Sequence, residues 1–299
     1  MLGAAVGCDT FCAGVVGRRR AKAGKLLQRL GELNDSQTGL LLMRSCASYA
    51  KLMHNVRTWP SPAMAEELQG FDSDVRSAFS SLTHLAPDDL QWARAVRATG
   101  VGGLGLRSVK EHADAAFLAS VASSTPMQHA IWPALSLADV LAEPPVQAAL
   151  TALAPMLPRS LALSLANGEA VPQKLLSRAI DRGAHDAELL SHDSPQHLKA
   201  HLQLVTAAGA DGWLHNWPNR ERDAIVDTEL FNVSLARRLR MQLLSEPACC
   251  PCCGACLDVF MDHALVCGCG GDRTLRHNAA RDALYADACE AIVMCRACL

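Results

Sequence analysis

The stretch MAEELQGFDSDVRSAFSSL, residues 64–82, indicates most directly how this chain folds. Its apolar side chains recur every three or four residues, as they do on one face of an α-helix. These side chains are Met64, Leu68, Phe71, Val75, Phe79 and Leu82. Polar and charged residues occupy the positions between them, which predicts an amphipathic helix packed through its apolar face.

The sequence on both sides of this stretch also favours helices. Four leucines follow helical spacing within 22–33, and the turn Asn34-Asp35-Ser36 can cap a second helix that ends before Pro60. Ser108 and Glu111 fit a capping box at the start of another helix. Between 126 and 170 repeated prolines predict short helices and turns. We expect further helices near 87–96, 108–121, 172–183, 194–207 and 221–244.

The amino-acid composition excludes several classes of protein. The 299 residues are 50% hydrophobic, 19% charged and only 4% aromatic, with a formal net charge of −2. These values exclude a wholly disordered chain and argue against a β-sandwich or barrel, so the predicted fold class is mainly α. No apolar stretch is long enough to span a membrane, and the N-terminal basic cluster follows the apolar part, unlike a signal peptide. We expect an intracellular protein, nuclear or cytoplasmic, in a reducing compartment.

Cysteines are distributed very unevenly. Ten of the 13 lie in the last 51 residues, and the segment CCPCCGAC, residues 249–256, contains five of them. Three overlapping C-x2-C pairs are available there, 249/252, 250/253 and 253/256. His263 and Cys267 follow at a spacing that allows them to reach the same ion. This clustering predicts a metal site.

The preferred ligand set is Cys250, Cys253, His263 and Cys267, which gives the pattern C-x2-C-x9-H-x3-C. Four such ligands match a structural Zn²⁺ site and leave no open position for catalysis, which disfavours a zinc enzyme. The neighbouring cysteines remain alternative ligands; these are Cys249, Cys252, Cys256 and Cys269. The opposing interpretation is a set of free thiols in a decaying sequence.

Two other motifs resemble functional sites but lack the required context. Gly100-x-Gly102-x-x-Gly105 matches a dinucleotide-binding fingerprint, yet a predicted helix precedes it where a strand is needed. We therefore predict a turn between two helices. Tyr285-Ala286-Asp287-Ala288 lacks the second carboxylate that a two-metal polymerase site requires, so no catalytic residue is predicted there.

Several segments together resemble the C-terminal half of a non-LTR retrotransposon reverse transcriptase. The resemblance covers nearly the whole chain and rests on the order and number of the segments. Those similar to the end of the palm, the thumb and the connection are LGAAVG (2–7), LLLMRSCASYAKLMHNVRTWP (40–60), FDSDVR (71–76) and GGLGLRSVKEHADAAFLAS (102–120). Those similar to the linker, the knuckle and the following basic segment are GWLHNWP (212–218), LARRLR (235–240), CPCCG (250–254), DHALVC (262–267) and GGDRTLRHNAARDALY (270–285).

The resemblance implies three regions. Residues 1–125 correspond to the helical thumb and connection, residues 126–246 to a helical linker, and residues 247–299 to a zinc-knuckle module with a basic helix. In that family the polymerase centre lies before such a segment and the endonuclease after it. The resemblance therefore implies a fragment without either active site, not an enzyme, whose partners include other retroelement-encoded domains.

Basic residues supply candidate contacts to RNA or DNA. Residues 1–60 contain nine Lys or Arg and only three Asp or Glu. Such side chains bind phosphates, and the family's thumb contacts nucleic acid, so weak, salt-dependent binding is expected. The candidates are Arg18, Arg19, Arg20, Lys22, Lys25, Arg273, Arg276, His277, Asn278 and Arg281. The alternatives are an all-helical protein–protein interaction module, which the acidic middle of the chain would suit, and a decayed, non-functional copy.

Overall fold

The chain forms two compact units, Met1–Arg240 and Met241–Leu299. A computed structural model describes residues 5, 7–220 and 224–269, together with 274, 277, 278, 281, 282 and 285. Within this part of the chain no helix is long and apolar enough to cross a membrane.

The prediction of a mainly α fold is confirmed, since helices make up most of the described structure. The only strands among the described residues are β1 (Ala248–Cys249) and β2 (Cys256–Leu257), which pair antiparallel. The α-helices are α1 (Asp9–Gly31), α2 (Ser36–Leu42), α3 (Met53–Thr58), α4 (Ala65–Thr83), α5 (Asp89–Ala95), α6 (Val109–Ile131), α7 (Leu137–Ala142), α8 (Pro144–Leu153), α9 (Arg159–Ala166), α10 (Gln173–Leu190), α11 (Gln196–Val205), α12 (Thr228–Arg238) and α13 (Asp262–Val266).

Helix α4 forms the centre of the first core, as the sequence predicts. All six apolar side chains named from its periodicity are buried, and Phe71 and Phe79 are completely inaccessible. Helix α1 packs along α4 and contributes Val16, Leu27 and Leu30. Each fully buried side chain of this size contributes roughly 1.5–3 kcal/mol. This packing fixes the face of α1 that stays in solvent.

Helix α1 starts at Asp9, well before the expected start at residue 22. The buried face of α1 continues toward the N-terminus through Cys12 and Val16. The residues around these two positions are mostly small, so the spacing of large apolar side chains does not show that the helix begins there. The predicted second helix is instead divided into α2, a π-helical turn (Met43–Ala47), a 3-10 turn (Tyr49–Lys51) and α3. Helix α3 ends at Thr58, before Trp59 and Pro60, as predicted.

Helix α6 corrects one expectation. It runs unbroken through Pro126 to Ile131, although a proline was expected to end it. The hydroxyls of Ser124 and Thr125 both donate to the carbonyl oxygen of Val121, in the turn before the proline. The predicted regional boundary at residue 125 therefore lies inside a continuous helix, and the division into three regions stays a prediction.

A second core lies where α6, α8, α9 and α10 meet, around Leu118, Leu153, Leu165 and Leu176. Short helices and turns do follow α6, as the prolines predict. The helix expected over 221–244 is shorter, from Thr228 to Arg238. The side chain of Asp227 caps its start by accepting from the backbone N–H of Glu229 and Leu230.

The glycine-rich stretch is a turn between α5 and α6, as predicted, and it follows a helix, not the strand that a dinucleotide fingerprint requires. A Cβ on Gly103 would lie 2.0 Å from the carbonyl oxygen of Arg97, so no larger residue fits without a shift. Ser108 then caps α6 by accepting from the N–H of Glu111 at 3.1 Å. Asp72 of α4 supports the same helix end, because its carboxylate accepts from the N–H of Val109 at 2.8 Å.

Candidate metal centre

The second unit contains a two-stranded hairpin that carries two of the predicted ligands. Its strands β1 and β2 flank the turn 250–255, in which the N–H of Cys250 donates to the carbonyl of Ala255 at 2.8 Å. Gly254 adopts a φ of +73°, a left-handed conformation that favours glycine. This tight turn brings Cys250 and Cys253 together.

The other two predicted ligands come from the short helix α13. His263 lies in its first turn and Cys267 at its C-terminal end. The N–H of Cys267 donates to the carbonyl of His263 at 2.8 Å, which is one helical turn. Residues four apart on a helix share a face, so both side chains point toward the hairpin turn.

All four ligand atoms lie within 4.8 Å of one another. The Sγ of Cys267 lies 3.8 Å from the Sγ of Cys250 and 3.7 Å from that of Cys253. Four ligands about 2.3 Å from a central ion would place neighbouring sulfurs about 3.8 Å apart. The cluster thus has the dimensions of a tetrahedral site and can hold a metal ion.

One side of the cluster is closed to solvent. Cys250 and Cys267 are buried together with Leu257, and Leu244 packs against them. Cys253 is exposed and His263 is half-buried, with 3.0 Å between its Nε2 and the Sγ of Cys253. An ion at the centre would therefore be shielded by apolar side chains on one side and by its own ligands on the other.

The backbone of the turn favours a thiolate at Cys250. Its pKa is lowered to about 6, because the backbone N–H groups of Cys252 and Cys253 hydrogen-bond to the sulfur. At Cys253 the N–H of Ala255 acts in the same direction, but partial desolvation of the sulfur and the neighbouring Cys250 and Cys267 sulfurs outweigh it and raise the pKa to about 11. Thiolates are the form that ligates metals, and a bound cation would relieve this crowding of negative charge.

The structure brings together the ligand set preferred from the sequence. Among the described residues no other group of metal-ligating side chains is comparably close. The nearby cysteines are all exposed and lie outside the cluster; these are Cys249, Cys252, Cys256 and Cys269. Sequence reasoning did not find the N–H···S hydrogen bonds of the turn, although Gly254 was a sign of its tight geometry.

The predicted basic cluster on α1 separates into two groups. Arg19 and Arg20 bind neighbouring side chains of their own unit. Arg19 donates to the side-chain oxygen of Asn55, and Arg20 forms ion pairs with Asp74 and Glu67 of α4. Both arginines therefore help to hold the helical unit together.

The remaining predicted cations on α1 are accessible. Arg18, Lys22 and Lys25 are exposed and spaced four and three residues apart, so they share one face of the helix. Arg29 continues the same row one turn later and is also exposed, a residue that sequence reasoning missed although the four-residue step indicated it. No described residue forms an ion pair or hydrogen bond with these four side chains. We call them the basic row.

The C-terminal candidates are only partly described. Arg273 and Arg276 lie outside the described residues. His277 and Arg281 are exposed and Asn278 is half-buried. The guanidinium of Arg281 donates to the carboxylate of Asp282 at 2.7 Å. Among the described candidates of this segment, no contact of His277, Asn278 and Arg281 with one another is seen.

Comparison with protein-family models, curated proteins and solved structures gives no match. The resemblance to retrotransposon reverse transcriptases therefore depends on the sequence segments quoted above and stays a prediction. The geometry of the Cys3His cluster and the accessibility of the basic row are independent of it.

Proposed function

We propose that this chain is a nucleic-acid-binding part of a retrotransposon-type reverse transcriptase protein, stabilised by a structural Zn²⁺ ion. The observation that carries the proposal is the Cys3His cluster. Three sulfur ligands and one imidazole are typical of structural zinc sites and unlike the oxygen ligands that Mg²⁺ or Ca²⁺ prefer.

Zinc would act here as the main source of folding energy for the second unit. Its described apolar core consists of little more than Leu257, Leu244 and two of the ligands themselves. A core of that size cannot fold a module unaided, whereas structural zinc contributes about 10–16 kcal/mol in such peptides. Because all four positions belong to the protein, no site remains for a substrate or an activated water.

The basic row supports nucleic acid as the partner. The row runs from Arg18 to Arg29 along α1, a rise of about 16 Å. This length is comparable to the length of a nucleic-acid strand that carries several phosphates. Side chains that have no partner among the described residues are available to neutralise phosphates. Contacts to phosphates carry no sequence information, and the affinity they provide falls steeply as the salt concentration rises.

One observation favours the rival function, a helical protein–protein interaction module. Ile131 and Trp132, at the end of α6, are 80% and 61% exposed. Exposed large apolar side chains are enriched at protein interfaces. Such an interaction would depend little on salt, which separates the two functions.

Zinc binding is tested by measuring the metal content of the purified chain under reducing conditions. We expect one zinc per chain in the wild type and a large loss in Cys253→Ser and in His263→Ala. Cys269→Ser is the matched control, since this exposed cysteine of the same unit lies outside the cluster. A wild type without stoichiometric zinc, or variants that all keep it, would refute the site.

Nucleic-acid binding is tested by fluorescence anisotropy with single-stranded RNA and DNA over a salt series. The double variant Arg18→Glu/Lys22→Glu should weaken binding and reduce the slope of log K against log salt by about 1–2. Lys174→Glu/Arg178→Glu makes the same charge change on exposed positions of α10 and is the control. If the two variants weaken binding equally, or if the affinity does not change with salt concentration, the basic row is not the interface.

A further inference from the structure

Two cysteines that the metal cluster does not use lie directly opposite each other. In the register of the hairpin, Cys249 of β1 pairs with Cys256 of β2, and Ala248 pairs with Leu257. Side chains of directly opposed residues project from the same face of a sheet. The Cys249 and Cys256 side chains are therefore neighbours across the strands.

The hydrogen bonds place this pair at the close-approach position of the ladder. The N–H of Cys250 donates to the carbonyl of Ala255, so these two residues form the hydrogen-bonded pair next along the ladder. Hydrogen-bonded and non-hydrogen-bonded pairs alternate, which makes Cys249 and Cys256 a non-hydrogen-bonded pair. In such pairs the Cα atoms are about 4.5 Å apart, within the range that a disulfide accepts.

Both cysteines are accessible and point away from the cluster. Leu257 is buried while the adjacent Cys256 is exposed, and Cys250 is buried while the adjacent Cys249 is exposed. Successive side chains in a strand alternate between faces. The hairpin therefore has one face that contributes to the metal cluster and an opposite face that carries two free thiols.

We propose that Cys249 and Cys256 are a redox-active pair that forms a reversible disulfide across the hairpin, on the face opposite the metal cluster. This bond would join the two strands on either side of the turn that holds Cys250 and Cys253. The four candidate ligands keep their thiols and imidazole in the oxidised protein. Oxidation then stiffens the hairpin without using the atoms that would bind the metal.

The reaction with oxidised glutathione balances without another reactant. One cysteine thiolate attacks a sulfur of the glutathione disulfide, that bond breaks, and one glutathione leaves as its thiolate. The second cysteine loses its proton and attacks the protein sulfur of the mixed disulfide. The S–S bond between the cysteines forms as the second glutathione departs. Two protein thiols have lost two electrons and two protons, and the glutathione disulfide has become two thiols.

The test incubates the full chain, with and without added zinc, in oxidised glutathione. Remaining thiols are then alkylated and the disulfides mapped by mass spectrometry. We expect a bond between Cys249 and Cys256 as the main product, a loss of two alkylatable thiols, and their return after dithiothreitol. Cys249→Ser and Cys256→Ser should each lose this product, while Cys252→Ser, an exposed cysteine of the same turn, should keep it.

Two results would overturn the proposal. One is a main product that joins Cys250, Cys253 or Cys267, which would make the cluster itself the oxidised group. The other is glutathione attached to Cys249 and Cys256 separately, without a bond between them, which would show that the two side chains do not meet. The first result is decisive in the zinc-loaded chain, where a bound ion would protect the cluster thiols from oxidation. The second can be identified with or without zinc, because the mapping identifies the residues directly.

Discussion

The helical unit and the cysteine-rich unit differ in the size and composition of their cores. In Met1–Arg240, helices bury apolar side chains in continuous cores, and ion pairs such as those of Arg20 add to this packing. In the described part of Met241–Leu299 the apolar core is minimal, and four potential ligand atoms occupy its centre. The comparison predicts that the first unit depends on hydrophobic burial and that the second depends on the metal ion proposed for its Cys3His cluster.

The largest expected effect is that of removing zinc. A chelator such as EDTA should unfold the second unit, because it withdraws about 10–16 kcal/mol of metal binding energy from a module with a very small core. Hydrogen-exchange mass spectrometry should show lost protection in peptides covering 244–269 and unchanged protection in α4. Loss of protection in both units, or in neither, would contradict the comparison.

The second prediction concerns a substitution that should destabilise only the helical unit. Phe71→Ala removes a completely buried ring from α4 and should lower the free energy of unfolding by about 3–5 kcal/mol. Zinc content should remain unchanged. Chemical denaturation followed by circular dichroism gives the first quantity and metal analysis the second. Leu90→Ala, at a position 70% exposed, is the control and should change stability by less than about 0.5 kcal/mol.

A smaller effect is expected from the polar interactions of the helical unit. Glu188 forms ion pairs with Arg94 and Arg97, each at 2.7 Å and largely buried. Glu188→Gln keeps the shape of the side chain and removes its charge, so we expect a loss of about 1.5–3 kcal/mol in denaturant unfolding. A change within experimental error would mean that these ion pairs contribute nothing beyond packing.

The smallest predicted effect concerns the start of α6. Ser108→Ala removes one cap and should lower the free energy of unfolding by about 1 kcal/mol, because Asp72 still accepts from the N–H of Val109. Ser123→Ala, which removes an exposed hydroxyl in the same helix, is the control and should have less effect. A loss as large as that of Phe71→Ala would show that the cap organises more than one helix end.

Local patterns in the sequence were sufficient for several parts of this structure. The three- and four-residue steps of Leu68, Phe71 and Val75 predict α4 and its buried face because helix periodicity is a local property of the sequence. The spacing of Cys250 and Cys253 places both on one turn for the same reason.

Long-range contacts account for what the sequence could not predict. Arg20 was expected to be available to nucleic acid, yet its partner Asp74 lies 54 residues away, and no local pattern indicates that pairing. Likewise, Pro126 does not end α6, a helix packed against α3, α4, α8 and α10. The opposition of Cys249 and Cys256 depends on hairpin register, which the cysteine spacing alone does not fix.

The central claim is that the second unit is organised by one zinc ion held by Cys250, Cys253, His263 and Cys267. X-ray absorption spectroscopy at the zinc edge on the reduced, zinc-loaded chain tests it most directly. The account predicts three sulfur ligands at about 2.3 Å and one nitrogen ligand at about 2.0 Å, with the nitrogen contribution lost in His263→Ala. Four sulfur ligands in the wild type, or a shell of oxygen and nitrogen atoms, would contradict it.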